Sequence, residues 1–150
     1  MTATVQNTIE RSIDLPVSRQ RAWDAITMPQ QISEWFHGLW EFELKPGAPI
    51  HFDFGEWGIH RGRVETVEPM DRVVYLWTHG ADADRSIPVD QVPNTLMEFQ
   101  LADAGNGTRL TVVESGFAAL PDDIRENSLR DNTQGWDEQM GNIQTYLETA

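Results

Sequence analysis

Arg11, His60, His79, Thr95 and Glu114 are polar residues that each share the parity of an apolar strand face. A histidine beside a glutamate can move a proton near neutral pH, and an arginine beside a glutamate can act as an acid–base pair, close a buried ion pair or hold a ligand. No ready-made catalytic motif accompanies them. There is no Gly-x-Ser-x-Gly, no glycine loop to cradle phosphate and no His-Glu-x-x-His; Gly55-x-x-Gly58 reads as a turn. The chain has no cysteine, which removes a thiolate nucleophile and a cysteine-type zinc site. A metal site from His51, His60 and His79 would need all three on one face, and their spacing matches no ligand pattern. No metal and no cofactor are expected, and no residue is assigned a catalytic role. Any chemistry must come from side chains scattered over strands.

Those strands are legible from period and punctuation. Thr8 to Leu15 alternates polar and apolar, with Ile9, Arg11, Ile13 and Leu15 on one face. Pro16 ends it, and Ser18 is an N-cap for a helix from Arg19 to Thr27. Pro29 opens a second short helix, Gln30 to Trp35. Glu41 to Leu44 reads as a short strand ended by Lys45-Pro46-Gly47. Ile50 to Phe54 and Ile59 to Val67 form a hairpin, followed by Val73 to His79, Thr95 to Leu101 and Thr108 to Gly116. The chain closes in a helical stretch from Asp122, with Gly135 as an expected break. Trp136, Met140, Ile143 and Leu147 step by 4, 3 and 4 residues and make one apolar stripe.

Parity assigns the inner faces. On Ile59 to Val67 the charged parity (Ile59, Arg61, Arg63, Glu65, Val67) should meet water, leaving His60, Gly62 and Val64 inside. The inner sets on the following strands are Val73, Tyr75, Trp77 and His79; Thr95, Met97, Phe99 and Leu101; and Leu110, Val112 and Glu114. In an up-and-down sheet one strand starts beside the end of the previous one. His60, His79, Thr95 and Glu114 then gather at one end. Trp57, in a hairpin turn, belongs there too. Tyr75, Trp77, Met97 and Phe99 complete the walls, with Trp35, Trp136 and Met140 as core or cavity wall. Taken singly, His60 and His79 read first as hydrogen-bonded wall residues and only second as acid–base groups. The acidic segment Gly80 to Pro93, with two prolines and no period, is expected to be a mobile loop and a lid.

A chain of 150 residues with 39% hydrophobic content fits one domain, 1–150, with residues 1–7 a loose arm. The net charge of −13, from 11 Lys+Arg against 24 Asp+Glu, leaves no basic footprint for nucleic acid. Nothing approaches the roughly 18 apolar residues of a membrane span, and the start lacks a signal peptide's pattern. A cytoplasmic location is expected.

The pieces, in order, resemble the START-like superfamily (Bet v 1-like, SRPBCC), and within it the activator of Hsp90 ATPase homologue 1-like group. The carrying residues are Ile9-x-Arg11-x-Ile13-x-Leu15-Pro16 with Arg21-Ala22-Trp23, then Pro29-x-x-Ile32-x-x-Trp35-Phe36. Gly62-x-Val64-x-x-Val67-x-Pro69 and Val73-x-Tyr75-x-Trp77 follow. Gly107-Thr108-x-Leu110-Thr111, Gly135-Trp136 and Tyr146-Leu147-Glu148 close the set. The resemblance implies an α+β helix-grip fold: a seven-stranded antiparallel sheet curved around a long C-terminal helix, with two short helices after the first strand and a cavity between. It also implies that the first strand pairs with the last, bringing Arg11 to Glu114. Relatives bind lipids, hormones and polyketides, some are cyclases, and the eukaryotic namesake is a co-chaperone. Three functions stay open. A module binding a small apolar or amphipathic molecule ranks first. A cyclase or hydrolase-type enzyme and an Hsp90 co-chaperone with a stress-response role rank behind it. A homodimer is also open.

Overall fold

A computed structural model of the chain describes residues 6–36, 38–79 and 87–149, with backbone alone at Trp57 and Thr149. β1 (Thr8–Leu15) leads into α1 (Arg19–Thr27) and α2 (Pro29–Trp35). Then come β2 (Leu39–Glu41), β3 (Pro49–Asp53), β4 (Ile59–Glu68), β5 (Arg72–Thr78), β6 (Asn94–Ala104), β7 (Gly107–Ser115) and α3 (Asp122–Thr149). The seven strands form one antiparallel sheet in the order β1-β7-β6-β5-β4-β3-β2, so the first strand does pair with the last. The architecture is the expected helix-grip α+β fold. Among the described residues no helix is long and apolar enough to cross a membrane.

Local chemistry explains the elements. The Ser18 hydroxyl accepts from the Arg21 backbone N–H at 3.2 Å and caps α1. Met28 ends α1 and precedes α2, whose first residue is Pro29. Asp122 and Asp123 sit in the first turn of α3, where the helix dipole favours acid. Trp136, Met140, Ile143 and Leu147 are all buried against the sheet's inner face, with Val64, Tyr75, Met97, Phe99, Leu110 and Val112.

Four expectations change. Gly135 does not break α3, which runs unbroken for 28 residues. An interior glycine costs about 1 kcal/mol, less than the packing of the flanking stripe returns. β2 is Leu39–Glu41 and not Glu41 to Leu44, because Leu39, Trp40 and Glu41 pair with Asp53, Phe52 and His51. The residues after it turn through the Lys45 N–H to Glu43 carbonyl bond of 2.9 Å. In β4 the register slips between Val64 and Thr66, and the extra residue swings Val67 onto the inner face opposite Val73. Val67 therefore packs on the core instead of facing water.

The fourth concerns the lid. Residues 80–86 lie outside the described residues. The described part, 87–93, packs on the outward side of β4 and β5. Asp90 reaches Arg63 at 3.6 Å, on the charged parity of β4, and the His79 N–H bonds the Pro93 carbonyl at 2.8 Å. Val74 and Leu76, on the outward parity of β5, are only 4% exposed. At the other terminus Asn7, placed in the loose arm, is held by three bonds. Its carbonyl accepts from the Gly116 and Phe117 N–H groups, and its side chain accepts from Ala118.

Tyr75 yields a pH prediction. It is fully buried and its hydroxyl donates to the Ile26 carbonyl at 2.7 Å. Burial holds its phenol well above the ordinary tyrosine range. The unfolded chain can ionise this phenol near pH ~10 while the folded chain cannot. Its contribution to stability is therefore complete below about pH 10 and lost as pH rises beyond it. Urea midpoints measured from neutral to alkaline pH should fall above about pH 10. Tyr75→Phe should flatten that fall at a cost of about 1 kcal/mol for the lost hydrogen bond. An unchanged alkaline slope in the variant would assign the fall to other groups.

Candidate functional site

Glu114 is the centre of the inner face. It is 0% exposed, on β7 between the sheet and α3. Its two oxygens accept from four residues. Trp136 Nε1 donates to Oε1 at 2.8 Å, Trp77 Nε1 to Oε2 at 3.0 Å and Thr95 Oγ1 to Oε2 at 2.5 Å. Asn132 Nδ2 bridges both oxygens at 3.1 and 3.0 Å. Two contacts to a carboxylate identify the amide NH2, since the carbonyl end would be repelled. A buried carboxyl without partners would cost several kcal/mol, and these donors offset that cost.

Behind Glu114 the bonding continues. The Thr95 hydroxyl has one proton, which it gives to Glu114. The 2.7 Å contact between Thr95 Oγ1 and His79 Nε2 must then be donated by the imidazole. His79 Nε2 is also 3.6 Å from Glu114 Oε2. His60 lies on the other side of Trp77, their rings stacked at 5.8 Å. Its Nδ1 meets the Thr78 carbonyl at 3.0 Å, so that nitrogen carries a proton.

In front of Glu114 lies a pocket of about 270 Å³. Its lining comprises Phe36, Gly38, Phe54, His60, Trp77 and Glu114 from the sheet side, and Asn132, Gly135, Trp136 and Gln139 from α3. Gly38 has φ of +110°, and a Cβ there would fall 2.2 Å from the Phe54 ring, so only glycine lets Phe54 lie flat at this edge. At Gly135 a Cβ would meet nothing within 4 Å. The helix thus presents a bare backbone step to the pocket between Asn132 and Gln139.

Of the expected cavity residues, His60, Trp77, Glu114 and Trp136 line this pocket. The side chain of Trp57 lies outside the described residues. Arg11 is a correction. Its register partner on β7 is Val112, whereas Glu114 lies opposite Ile9. From the edge strand its guanidinium turns to Asp137 on α3, with Nε at 2.6 Å from the carboxylate and both side chains partly in water. Parity was right for Arg11, but its offset along the strand was not. Trp35 donates to the Ala25 carbonyl at 2.8 Å and holds α2 to α1. Tyr75, Met97, Phe99 and Met140 are core and do not line the pocket, and His79 stands one bond behind it. His51 pairs with Arg61, on the face opposite His60, so the three histidines do not share a face. Among the described residues no group of three acids or histidines is placed to hold a metal ion.

Sequence reasoning missed Phe36, Gly38, Phe54, Asn132, Gly135 and Gln139. A signal existed for the helical ones. Asn132 and Gln139 stand four residues before and three after Trp136, so they extend its stripe upstream and alongside with polar groups. Polar side chains on an apolar stripe point to a site.

Comparison with known proteins follows the same lines. The family model described as Activator of Hsp90 ATPase homolog 1-like protein matches residues 16–148. No curated protein matches the chain. Among solved structures, DynU16 of the dynemicin biosynthetic locus is 24% identical with a TM-score of 0.77, over 97% of this chain and 48% of that one. The chain thus spans about half the length of DynU16 (48%). Protein MLL2253 from Mesorhizobium loti is 20% identical with a TM-score of 0.79, over 95% of this chain and 98% of that one. The Aha1 dimer from Colwellia psychrerythraea is 20% identical with a TM-score of 0.72, over 95% of this chain and 97% of that one. At these identities the likeness speaks for the fold alone.

Proposed function

Since the chain belongs to the activator of Hsp90 ATPase homolog 1-like family of the START-like superfamily, we propose that it is a cytoplasmic small-molecule-binding protein. The ligand occupies the pocket between the sheet and α3. The observation that carries this reading is the lining itself: Phe36, Phe54, His60, Trp77 and Trp136 supply five rings around about 270 Å³, with few polar groups among them. An apolar concavity with a few convergent polar groups is the usual form of a small-molecule site. A cyclase or hydrolase reading would need Glu114 as acid or base. Its oxygens already accept from Trp77, Thr95, Asn132 and Trp136, which favours a structural and electrostatic role. The family name also supports an Hsp90 partnership, and binding to purified Hsp90 would decide it. The dimer of the Colwellia protein supports including a homodimer in the proposal.

Gly135→Leu tests the pocket. The new side chain has room, since nothing lies within 4 Å of the Cβ position, and it would fill the pocket. Removing an interior helical glycine should stabilise the fold by up to about 1 kcal/mol. Native mass spectrometry of the protein from its own cells should show a bound mass that denaturation releases. The Gly135→Leu protein, with an equal or higher urea midpoint, should carry none. An undiminished adduct in the variant would place the ligand elsewhere.

A further inference from the structure

The pocket's charge balance says more about its ligand. Among the described residues its ionisable lining groups are Glu114 and His60, and no arginine or lysine lines it. Among the described residues no arginine or lysine pairs with Glu114, whose nearest basic atom is His79 Nε2 at 3.6 Å. That nitrogen is already turned to Thr95. The donors around the carboxylate are two indoles, an amide and a hydroxyl, all neutral. They satisfy its lone pairs and leave its negative charge in place beside the pocket.

The rings around that charge are arranged to use it. Phe36 stands edge-on to Trp136 at 5.8 Å and 75°, and Phe54 edge-on to Trp77 at 6.1 Å and 87°. These pairs wall the pocket from the α3 side and from the sheet side. Both indoles give their N–H to Glu114. An N–H that donates to an anion pushes electron density into its ring and deepens the negative π face. Such faces attract cations, most strongly where water is excluded. An anionic ligand would meet the field of Glu114, and a neutral one would make no use of it. The surrounding net charge of −13 also steers cations inward.

We propose that the ligand of this pocket is an organic cation, an ammonium-bearing molecule enclosed by Phe36, Phe54, Trp77 and Trp136 with Glu114 as its buried counter-charge. The assignment rests on the pocket being a ligand site, as proposed above. The space, about 270 Å³, holds roughly nine water-sized groups at ~30 Å³ each, which suits a single small ring with an ammonium head.

The test uses two probes of one shape and different charge, phenyltrimethylammonium and tert-butylbenzene, titrated calorimetrically into the full chain. The cation should bind about tenfold tighter or better, which is ~1.4 kcal/mol or more. Glu114→Gln keeps the shape and removes the charge, and should bring the two probes within about threefold of each other, under ~0.7 kcal/mol. Phe54→Leu, which keeps bulk and removes a π face, should narrow the preference without weakening tert-butylbenzene, and it serves where Glu114→Gln does not fold. Equal binding of the two probes, or tighter binding of tert-butylbenzene, overturns the cation assignment and leaves the pocket standing. If neither probe binds and no native adduct is found, both proposals fall.

Discussion

Glu114→Ala should lose about 4 kcal/mol or more of folding stability, measured by urea unfolding at neutral pH. The glutamate is fully buried and ties three elements together. Trp77 comes from β5, Thr95 from β6, and Asn132 and Trp136 from α3. Alanine would leave two indole N–H groups, an amide and a hydroxyl without their acceptor. Each such buried donor costs about 1–3 kcal/mol when stranded, less what local water recovers. For a chain of this size that corresponds to a drop in Tm of roughly 8–16 °C. Glu114→Gln should fall between, at about 2–3 kcal/mol, because one carboxylate oxygen becomes an NH2 that faces other donors. A loss below about 1 kcal/mol for the alanine variant would mean that the network does not hold the helix to the sheet.

What could be read from the residues alone follows from what each signal encodes. Strand parity is a local, two-residue property, so Glu114, Trp77, His60 and the β6 inner set were all placed on the correct face. The offset between strands is not local. Parity and strand order bring Arg11 towards Glu114, yet Ile9 occupies the facing position and Arg11 lies two pairs further along, opposite Val112. A bulge erases parity beyond it, which is why Val67 moved inward. Phe54 shares the parity of Ile50 and Phe52, but it sits where β3 gives way to the turn over Gly55–Trp57, and parity does not tell a wall of the pocket from core; Phe36 and Gly38 lie between α2 and β2, where no periodic signal reaches. Glycine's propensity predicts a helix break at Gly135. The packing of the stripe beside it carries the helix through, and its lack of a side chain leaves pocket space.

Trp136→Ala should cost about 4–5 kcal/mol, the upper part of the range for a buried tryptophan. Trp136 is 4% exposed and packs edge-to-face on Phe36 at 5.8 Å and Phe99 at 5.9 Å. It is therefore both a large contact of α3 with the core and a wall of the pocket. Truncation enlarges an existing space that the helix cannot close, since the stripe below it is fixed by Met140, Ile143 and Leu147. Trp136→Phe separates ring from N–H. It keeps the aromatic contacts, removes the 2.8 Å bond to Glu114 Oε1, and should cost only about 1–2 kcal/mol. If that bond acts as described, the Trp136→Phe and Glu114→Gln losses will not add. The double variant should be less destabilised than their sum by about 1 kcal/mol or more, as expected for groups sharing one hydrogen bond. Strict additivity would show that Trp136 contributes through packing alone. In that case the carboxylate is held by Trp77, Thr95 and Asn132, and the helix is gripped by its apolar stripe without help from the buried charge.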